Sequence, residues 1–210
     1  MPYRAVIFDL GGVVFPSPFE AFDAYDRGNE LEPGTMRALI RTSSESGAWA
    51  ALERGELSMD EFVDALEVEA LAAGFRIDAR RLMGQIGASF GPRPEMARAI
   101  ERIRSSGLRT AALTNNWADE QRGSTPNGLQ EAGLFDVIVE SAVEGLRKPD
   151  PRIYALALAR LNVLASEAVF LDDLGMNLKP AREMGMATIK VGDPDVALAE
   201  LEATLGLVLR

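Results

Sequence analysis

The chain of 210 residues contains no cysteine and no histidine. Without cysteine, the sequence excludes disulfides, thiol nucleophiles and thiolate metal sites. Without histidine, it also excludes a Ser-His-Asp triad and any histidine-ligated zinc site. Whatever chemistry this protein performs must therefore come from carboxylates, hydroxyls, amides, lysine or arginine.

Two further shortages concern long apolar runs and positive charge. No apolar run reaches the length of about 18 residues that a membrane span requires. The net charge is −10, which argues against a nucleic-acid-binding protein. Residues 1–9 lead directly into a predicted strand and do not resemble a signal peptide. The expected location is therefore the cytoplasm.

Short apolar runs alternate with helical patterns through most of the chain. The runs are short, as is typical of parallel strands that are covered on both faces. They span residues 4–9, 109–114, 136–140, 168–172 and 187–191. Helical patterns follow several of them, with Asp150, Asn177 and Asp193 as predicted N-caps. This alternation predicts an α/β fold with a doubly wound parallel sheet.

Residues 17–90, called the helical insert below, break this alternation because they contain no convincing buried strand. They show helical patterns at 19–29, 33–45, 48–54, 58–73 and 78–89. Ser58 and Glu61 form a predicted capping box for the fourth of these. We expect a helical domain inserted after the first strand, with residues 1–16 and 91–210 forming the α/β core. Residues 123–128 (GSTPNG) are predicted to be a loop.

Four short motifs carry residues suited to catalysis. They are FDLGG at 8–12, LTNN at 113–116, RKPDP at 147–151 and FLDDLGMN at 170–177. Three of them end a predicted strand and open onto glycine or polar residues. Because open parallel sheets bind ligands at the carboxyl ends of their strands, we expect these motifs to form one site.

Asp9 is the candidate nucleophile, since a carboxylate can form a covalent intermediate. Thr114 and Asn115 offer a hydroxyl and an amide that can hold an oxyanion. Lys148 can reduce the repulsion between an anionic substrate and a carboxylate. Taken singly, each residue could also have a purely structural role. Asp9, Thr114 and Asn115 could cap loops, and Lys148 could be a solvated surface side chain.

Asp172 and Asp173 form the most specific feature. Two adjacent carboxylates at the end of a buried strand are costly unless a cation or hydrogen bonds compensate them. Their side chains should point to opposite faces, so that one ligates a metal and the other orients Lys148 or a metal-bound water. An all-oxygen site of this kind suits Mg²⁺. Asn177 is expected to bond back to the loop.

In their order and spacing these motifs resemble those of the haloacid dehalogenase superfamily, over the whole chain. More narrowly, FDLGGVVFPSP, RGELS, LTNNW, RKPDPRIY and VFLDDLGMNLKPAREMGMATIKV resemble the N-terminal phosphatase domain of soluble epoxide hydrolases. They are also similar to the related domain of an acyl-CoA dehydrogenase family member. The resemblance implies a parallel-sheet core with a helical cap after the first strand, in agreement with the pattern of residues 17–90.

The resemblance also implies roles for individual residues. Asp9 would attack phosphorus and form an aspartyl-phosphate that water then hydrolyses. Asp9, the main-chain carbonyl of Gly11 and Asp173 would hold Mg²⁺, with Asp172 and Asn177 supporting them. Thr114, Asn115 and Lys148 would bind the phosphate of a small-molecule substrate. The expected assembly is a monomer or a homodimer.

Gly11 departs from the family pattern, which places a second aspartate there as the proton donor for the leaving group. Such general acid–base help is typically worth about 10²–10⁴-fold in rate. The leading hypothesis is a Mg²⁺-dependent phosphomonoester hydrolase. Two alternatives stay open: a catalytically weak binding or regulatory module, and a 2-haloacid dehalogenase, whose halide leaves without a proton.

Overall fold

A computed structural model describes residues 2–42, 46–88, 91–117 and 133–210. The predicted loop at 123–128 lies outside these ranges. Within them, no helix is both long enough and apolar enough to cross a membrane.

The strands form one parallel sheet in the order β3-β2-β1-β4-β5. They are β1 (Ala5–Phe8), β2 (Arg109–Thr114), β3 (Val137–Glu140), β4 (Ala168–Asp172) and β5 (Ala187–Lys190). The five predicted strands are thus confirmed to within one residue at each end. β1 is central, and Phe8 pairs with Ala112 of β2 and Leu171 of β4. This register brings the residues that follow β1 level with the ends of β2 and β4.

The helices of the described residues alternate with the strands outside the insert and are consecutive within it. They are α1 (Pro18–Gly28), α2 (Thr35–Thr42), α3 (Ala48–Glu53), α4 (Met59–Ala72), α5 (Ala79–Ala88), α6 (Pro94–Ser105), α7 (Ser141–Glu144), α8 (Pro151–Leu161), α9 (Gly175–Glu183) and α10 (Pro194–Leu205). A 3-10 turn covers Ala165–Glu167. The sequence patterns did not predict α7, whose four residues are too few for a periodic signal.

Each face of the sheet carries its own hydrophobic cluster. On one face, residues of β1 such as Phe8 pack with Ile103 of α6 and Leu198 of α10. On the other face, Ile7 packs with Ala157 of α8 and Leu178 of α9. Covering both faces explains why β1 and β4 are buried along their whole length. The doubly wound architecture is therefore confirmed.

Two of the three predicted N-caps are confirmed. The Asp150 carboxylate accepts a hydrogen bond from the Arg152 N–H at the start of α8, and Asp193 caps α10 in the same way. The prediction for Asn177 is wrong, because α9 begins two residues earlier, at Gly175, after the N-cap Leu174. The side chain of Asn177 has a different partner, described below.

The helical insert has a hydrophobic cluster of its own, formed by α1 to α5. At its centre the Trp49 ring lies between Phe22 and Phe62, with ring centroids 5.3 and 5.7 Å away. The capping box of Ser58 and Glu61 is present at the start of α4. Trp117, which follows β2, packs edge-on against Trp49 at 5.8 Å. The insert therefore contacts the loop at the carboxyl end of the sheet.

Candidate active site

A buried lysine lies between two carboxylates at the carboxyl end of the sheet. Lys148 Nζ is 2.8 Å from Asp9 Oδ1 and 2.8 Å from Asp172 Oδ2. The Lys148 side chain has no solvent exposure. Water therefore screens the attraction between its ammonium and the two carboxylates only weakly. Asp9 follows β1 and Asp172 ends β4, and the pairing of these two strands sets their separation. The interpretation of Lys148 as a solvated surface residue is therefore wrong.

The hydrogen bonds of Asp172 are satisfied from inside the protein. Its Oδ1 accepts from the Leu174 N–H at 2.8 Å and from Asn177 Nδ2 at 3.1 Å. Its Oδ2 accepts from Lys148 Nζ, and Asn177 Nδ2 lies 3.1 Å from this oxygen too. Asn177 thus bonds back to the loop as expected, and Tyr154 fixes α9 here by donating to the Asn177 carbonyl at 2.8 Å. Asp172 is suited to orienting Lys148.

Asp173 is placed differently from its neighbour, because it is only partly buried and faces the loop after β1. A Cβ added to Gly12 would lie 2.3 Å from Asp173 Oδ2, and Gly12 has φ of +79°. Only glycine satisfies both the backbone angle and this close approach. Gly12 therefore brings the backbone of the first motif against Asp173, the second aspartate of the fourth motif.

Three carboxylates converge here. Asp9, Asp172 and Asp173 each offer an oxygen within 4.8 Å of the others. Burial raises the pKa of Asp9 well above its usual range; Lys148 opposes this rise, and Asp172 and Asp173 add to it. Burial, and then the charge of Asp172, raise the pKa of Asp173 to about 6. A hard divalent cation would relieve this crowding of negative charge, so the residues fit Mg²⁺.

Lys148 remains protonated despite its burial. Burial alone would lower its pKa, but the charges of Asp172 and Asp9 outweigh that effect and raise the pKa of Lys148 above its ordinary value. Lys148 therefore supplies a permanent positive charge beside the Asp9 carboxylate.

Thr114 and Asn115 end β2, next to β1. The Thr114 hydroxyl is nearly buried and makes a long hydrogen bond of 3.4 Å to the Asn115 carbonyl. The carboxamide of Asn115 is turned toward the backbone of Lys148: its Oδ1 accepts from the Lys148 N–H at 2.8 Å, and its Nδ2 donates to the Lys148 carbonyl at 3.0 Å. This pairing joins the second motif to the third, which sequence reasoning did not foresee.

Glu53, at the end of α3, is a residue that sequence reasoning missed. This nearly buried carboxylate accepts from Arg147 Nη2 at 2.6 Å and from Trp49 Nε1 at 2.9 Å. Asn115 Nδ2 lies 3.4 Å from Glu53 Oε2. No local signal identifies Glu53, because its partners in the core lie 62 and 94 positions away in the sequence.

Gly11 leaves the position of the usual second acid without a side chain. A Cβ added there would lie 3.3 Å from Pro18 Cδ, a close but adjustable contact. The backbone at Gly11 is not in the left-handed region, so an aspartate fits its conformation.

The family model described as haloacid dehalogenase-like hydrolase matches residues 3–185. Acyl-CoA dehydrogenase family member 10 of Mus musculus is 41% identical over 99% of this chain, and bifunctional epoxide hydrolase 2 of Sus scrofa is 34% identical over 100% of it. The chain spans only 20% and 40% of the length of these two relatives. Both similarities agree with the narrower resemblance inferred from the motifs.

Another relative matches along almost its entire length. Sesquiterpene phosphatase astK of Aspergillus oryzae is 28% identical, with 97% of each chain covered. Among solved structures, a haloacid dehalogenase family enzyme of Bacteroides thetaiotaomicron, in complex with magnesium and inorganic phosphate, has a TM-score of 0.62 at 18% identity. That match covers 91% of this chain and 96% of the other, and it supports the fold.

Proposed function

The chain belongs to the haloacid dehalogenase-like hydrolase family, and we propose that it is a Mg²⁺-dependent phosphomonoester hydrolase acting on a small organic phosphate. The observation that carries this proposal is the pair of 2.8 Å contacts from Lys148 Nζ to Asp9 and Asp172, with Asp173 completing a cluster of three carboxylates. A dehalogenase needs no such acidic cluster, whereas an all-oxygen Mg²⁺ site does.

Asp9 is the proposed nucleophile. Its Oδ1 is held by the Leu10 N–H at 2.7 Å and by Lys148 Nζ at 2.8 Å, so we assign the attack on phosphorus to Oδ2. The new Oδ2–P bond replaces the ester P–O bond, and the leaving alkoxide takes a proton from water and departs as the alcohol. A second water then cleaves the aspartyl-phosphate, which releases inorganic phosphate and restores the Asp9 carboxylate.

The other residues of the chain bind and orient. Lys148 offsets the charge that accumulates when a phosphate dianion approaches Asp9. The Thr114 hydroxyl and the end of β2 would contact the phosphate oxygens, while the Asn115 carboxamide holds the Lys148 backbone. Asp9, the Gly11 carbonyl and Asp173 would hold Mg²⁺, with Asp172 and Asn177 behind them. When bound, the ion would supply charge neutralisation for the phosphoryl group.

Domain boundaries, cellular location and oligomeric state are proposed on more general grounds. We assign residues 1–16 and 91–210 to the catalytic core and residues 17–90 to a cap, since α1 to α5 share a separate hydrophobic cluster. The acidic net charge supports an enzyme that does not bind nucleic acid, and the cytoplasm is proposed as its default location. A monomer or homodimer is expected.

Turnover of a panel of phosphate esters, with and without Mg²⁺, tests the proposal. We expect phosphate release only with Mg²⁺, and a loss of at least about 10³-fold in Asp9→Asn, because an amide is not a nucleophile. Chelator-resistant release of halide from a 2-haloacid would support the dehalogenase instead. Binding of Mg²⁺ with no turnover of any ester would support the binding module.

The same panel tests the consequence of Gly11. Without a proton donor at this position, aryl and acyl phosphates should be cleaved much faster than alkyl phosphates. Gly11→Asp should then raise turnover of alkyl phosphates selectively, once Pro18 has moved by a few tenths of an ångström. Equal rates for alkyl and aryl phosphates in the unmodified enzyme would contradict this explanation.

A further inference from the structure

We propose that Glu53, a residue of the helical insert, is a positioning residue for the catalytic lysine. It acts through Asn115 and Arg147 rather than by touching the substrate. This inference rests on the proposed function for its kinetic test but has a second test that does not.

Glu53 makes a junction between the insert and the core. Its Oε1 accepts from Trp49 Nε1 at 2.9 Å, within α3. Its Oε2 accepts from Arg147 Nη2 at 2.6 Å and Nε at 2.7 Å, across to the third motif. The Glu53 side chain is only 9% exposed. Burial of a carboxylate to this extent lowers stability unless its hydrogen bonds are well formed. Both oxygens of Glu53 accept hydrogen bonds here.

Two connections lead from Glu53 to Lys148, one through Arg147 and one through Asn115. Arg147 precedes Lys148 in the chain, and Asn115 Nδ2, 3.4 Å from Glu53 Oε2, also donates to the Lys148 carbonyl. Asn115 Oδ1 accepts from the Lys148 N–H. The N–H and the carbonyl of Lys148 are therefore both held by the Asn115 carboxamide, which Glu53 contacts. The Lys148 ammonium lies between Asp9 and Asp172.

Two other contacts fix α3 and the turn after it against the core. Trp49 packs on Trp117 at 5.8 Å. A Cβ added to Gly55 would lie 2.5 Å from the Ala142 carbonyl oxygen, so the turn after α3 lies directly against α7. Because this region is tightly packed, loss of the Glu53 charge should loosen the Lys148 loop without releasing the whole insert.

The kinetic test compares Glu53→Gln with Glu144→Gln. Glu144 pairs with Arg160 at 2.7 Å, a comparable carboxylate–arginine contact. Among the described residues, this pair has no hydrogen bond to Asn115 or Lys148. Glu53→Gln should lower kcat by about tenfold or more, because small displacements of a catalytic group are costly. KM should change by less than about threefold. Glu144→Gln should keep kcat within about twofold of the original value.

A double-mutant cycle shows whether the effect passes through Asn115. If it does, adding Glu53→Gln to Asn115→Ala should reduce kcat by clearly less than Glu53→Gln alone. Additive losses, an unchanged kcat in Glu53→Gln or a change confined to KM would each overturn the proposal. Should Glu53→Gln fail to fold, Arg147→Gln provides the same comparison from the core side.

Hydrogen exchange of the Lys148 amide gives a test that does not depend on activity. This N–H donates to Asn115 Oδ1, and its exchange should be at least about tenfold faster in Glu53→Gln than in Glu144→Gln. Equal exchange rates would overturn the positioning role even if the enzyme is a phosphatase. Faster exchange with no phosphatase activity in the unmodified chain would refute the proposed function and keep the positioning role.

Discussion

The carboxyl edge of the sheet and the helical insert form the candidate site by different means. At the sheet edge, β1 and β4 carry Asp9 and Asp172 to a fixed separation, because parallel pairing sets the register of their ends. The insert reaches the same region through side chains such as Glu53, whose partners come from distant segments. The sheet thus determines where the reactive groups lie, and the insert determines how firmly the loop behind them is held.

Among the substitutions that compare the sheet edge with the insert, removing the positive charge of Lys148 should have the largest effect. In Lys148→Met, kcat should fall by about 10²–10³-fold, as when one group that stabilises transition-state charge is lost. The free energy of unfolding without Mg²⁺ should fall by about 3–5 kcal/mol, because Asp9 and Asp172 lose their buried partner. Steady-state kinetics and urea denaturation measure the two effects.

Lys179→Met is the matched control for Lys148→Met. Lys179 pairs with Glu183 at 3.9 Å on the surface, with both side chains largely exposed. Removing an exposed pair costs little, and kcat should be unchanged. Equal losses of stability in the two variants would mean that the buried contacts of Lys148 contribute no more to stability than an exposed ion pair does.

Asp173→Asn should separate metal binding from structural support at the same edge. Asp173 is the proposed metal ligand, so Mg²⁺ affinity measured by calorimetry should fall by at least about tenfold. Stability should change little, because Asp173 is less buried than Asp172. An unchanged affinity for Mg²⁺ would remove Asp173 from the metal site.

Protonation of Asp173 should mimic this substitution. Its pKa is raised to about 6, so the carboxyl gains a proton as the pH falls through that value. Because a proton and Mg²⁺ compete for the same oxygens, the Kd for Mg²⁺ should rise by at least about tenfold per pH unit below 6. Asp173→Asn should show a shallower dependence, since only Asp9 still titrates there with a raised pKa.

The smallest effect is expected where the insert lies against the core. Gly55→Ala should lower the free energy of unfolding by about 1–3 kcal/mol, since Gly55 has φ of +70° and an added Cβ would meet the Ala142 carbonyl. Gly74→Ala is the control, with φ of +96° and open space around it. The difference in the free energy of unfolding between the two variants measures the cost of the contact between the added Cβ and the Ala142 carbonyl. Thermal unfolding detects this difference.

The sheet-edge residues could be predicted because short apolar runs mark buried strands, and parallel strands share one carboxyl edge. The structure brings together Asp9, Lys148, Asp172, Asp173 and Asn177, which were all singled out from the sequence. The side chains of Asp172 and Asp173 also point in different directions, as alternation along a strand suggests: one faces Lys148 and the other faces Gly12.

The contributions of the insert could not be predicted in the same way. Hydrophobic periodicity located its helices, but it did not show whether Phe22, Trp49 and Phe62 line a pocket or form a core; the structure places them in a core. The carboxamide of Asn115 turns to Lys148 because of a contact between segments 33 positions apart. Such tertiary contacts leave no periodic signal in the sequence.

The most direct test of the account is a crystal structure of the protein with Mn²⁺ in place of Mg²⁺, located by its anomalous scattering. The account predicts one ion bound by the carboxylates of Asp9 and Asp173 and by the carbonyl of Gly11, with Lys148 still paired to Asp172. An ion bound elsewhere, or an ion that contacts Asp173 but not Asp9, would contradict the shared metal site on which the proposed chemistry depends.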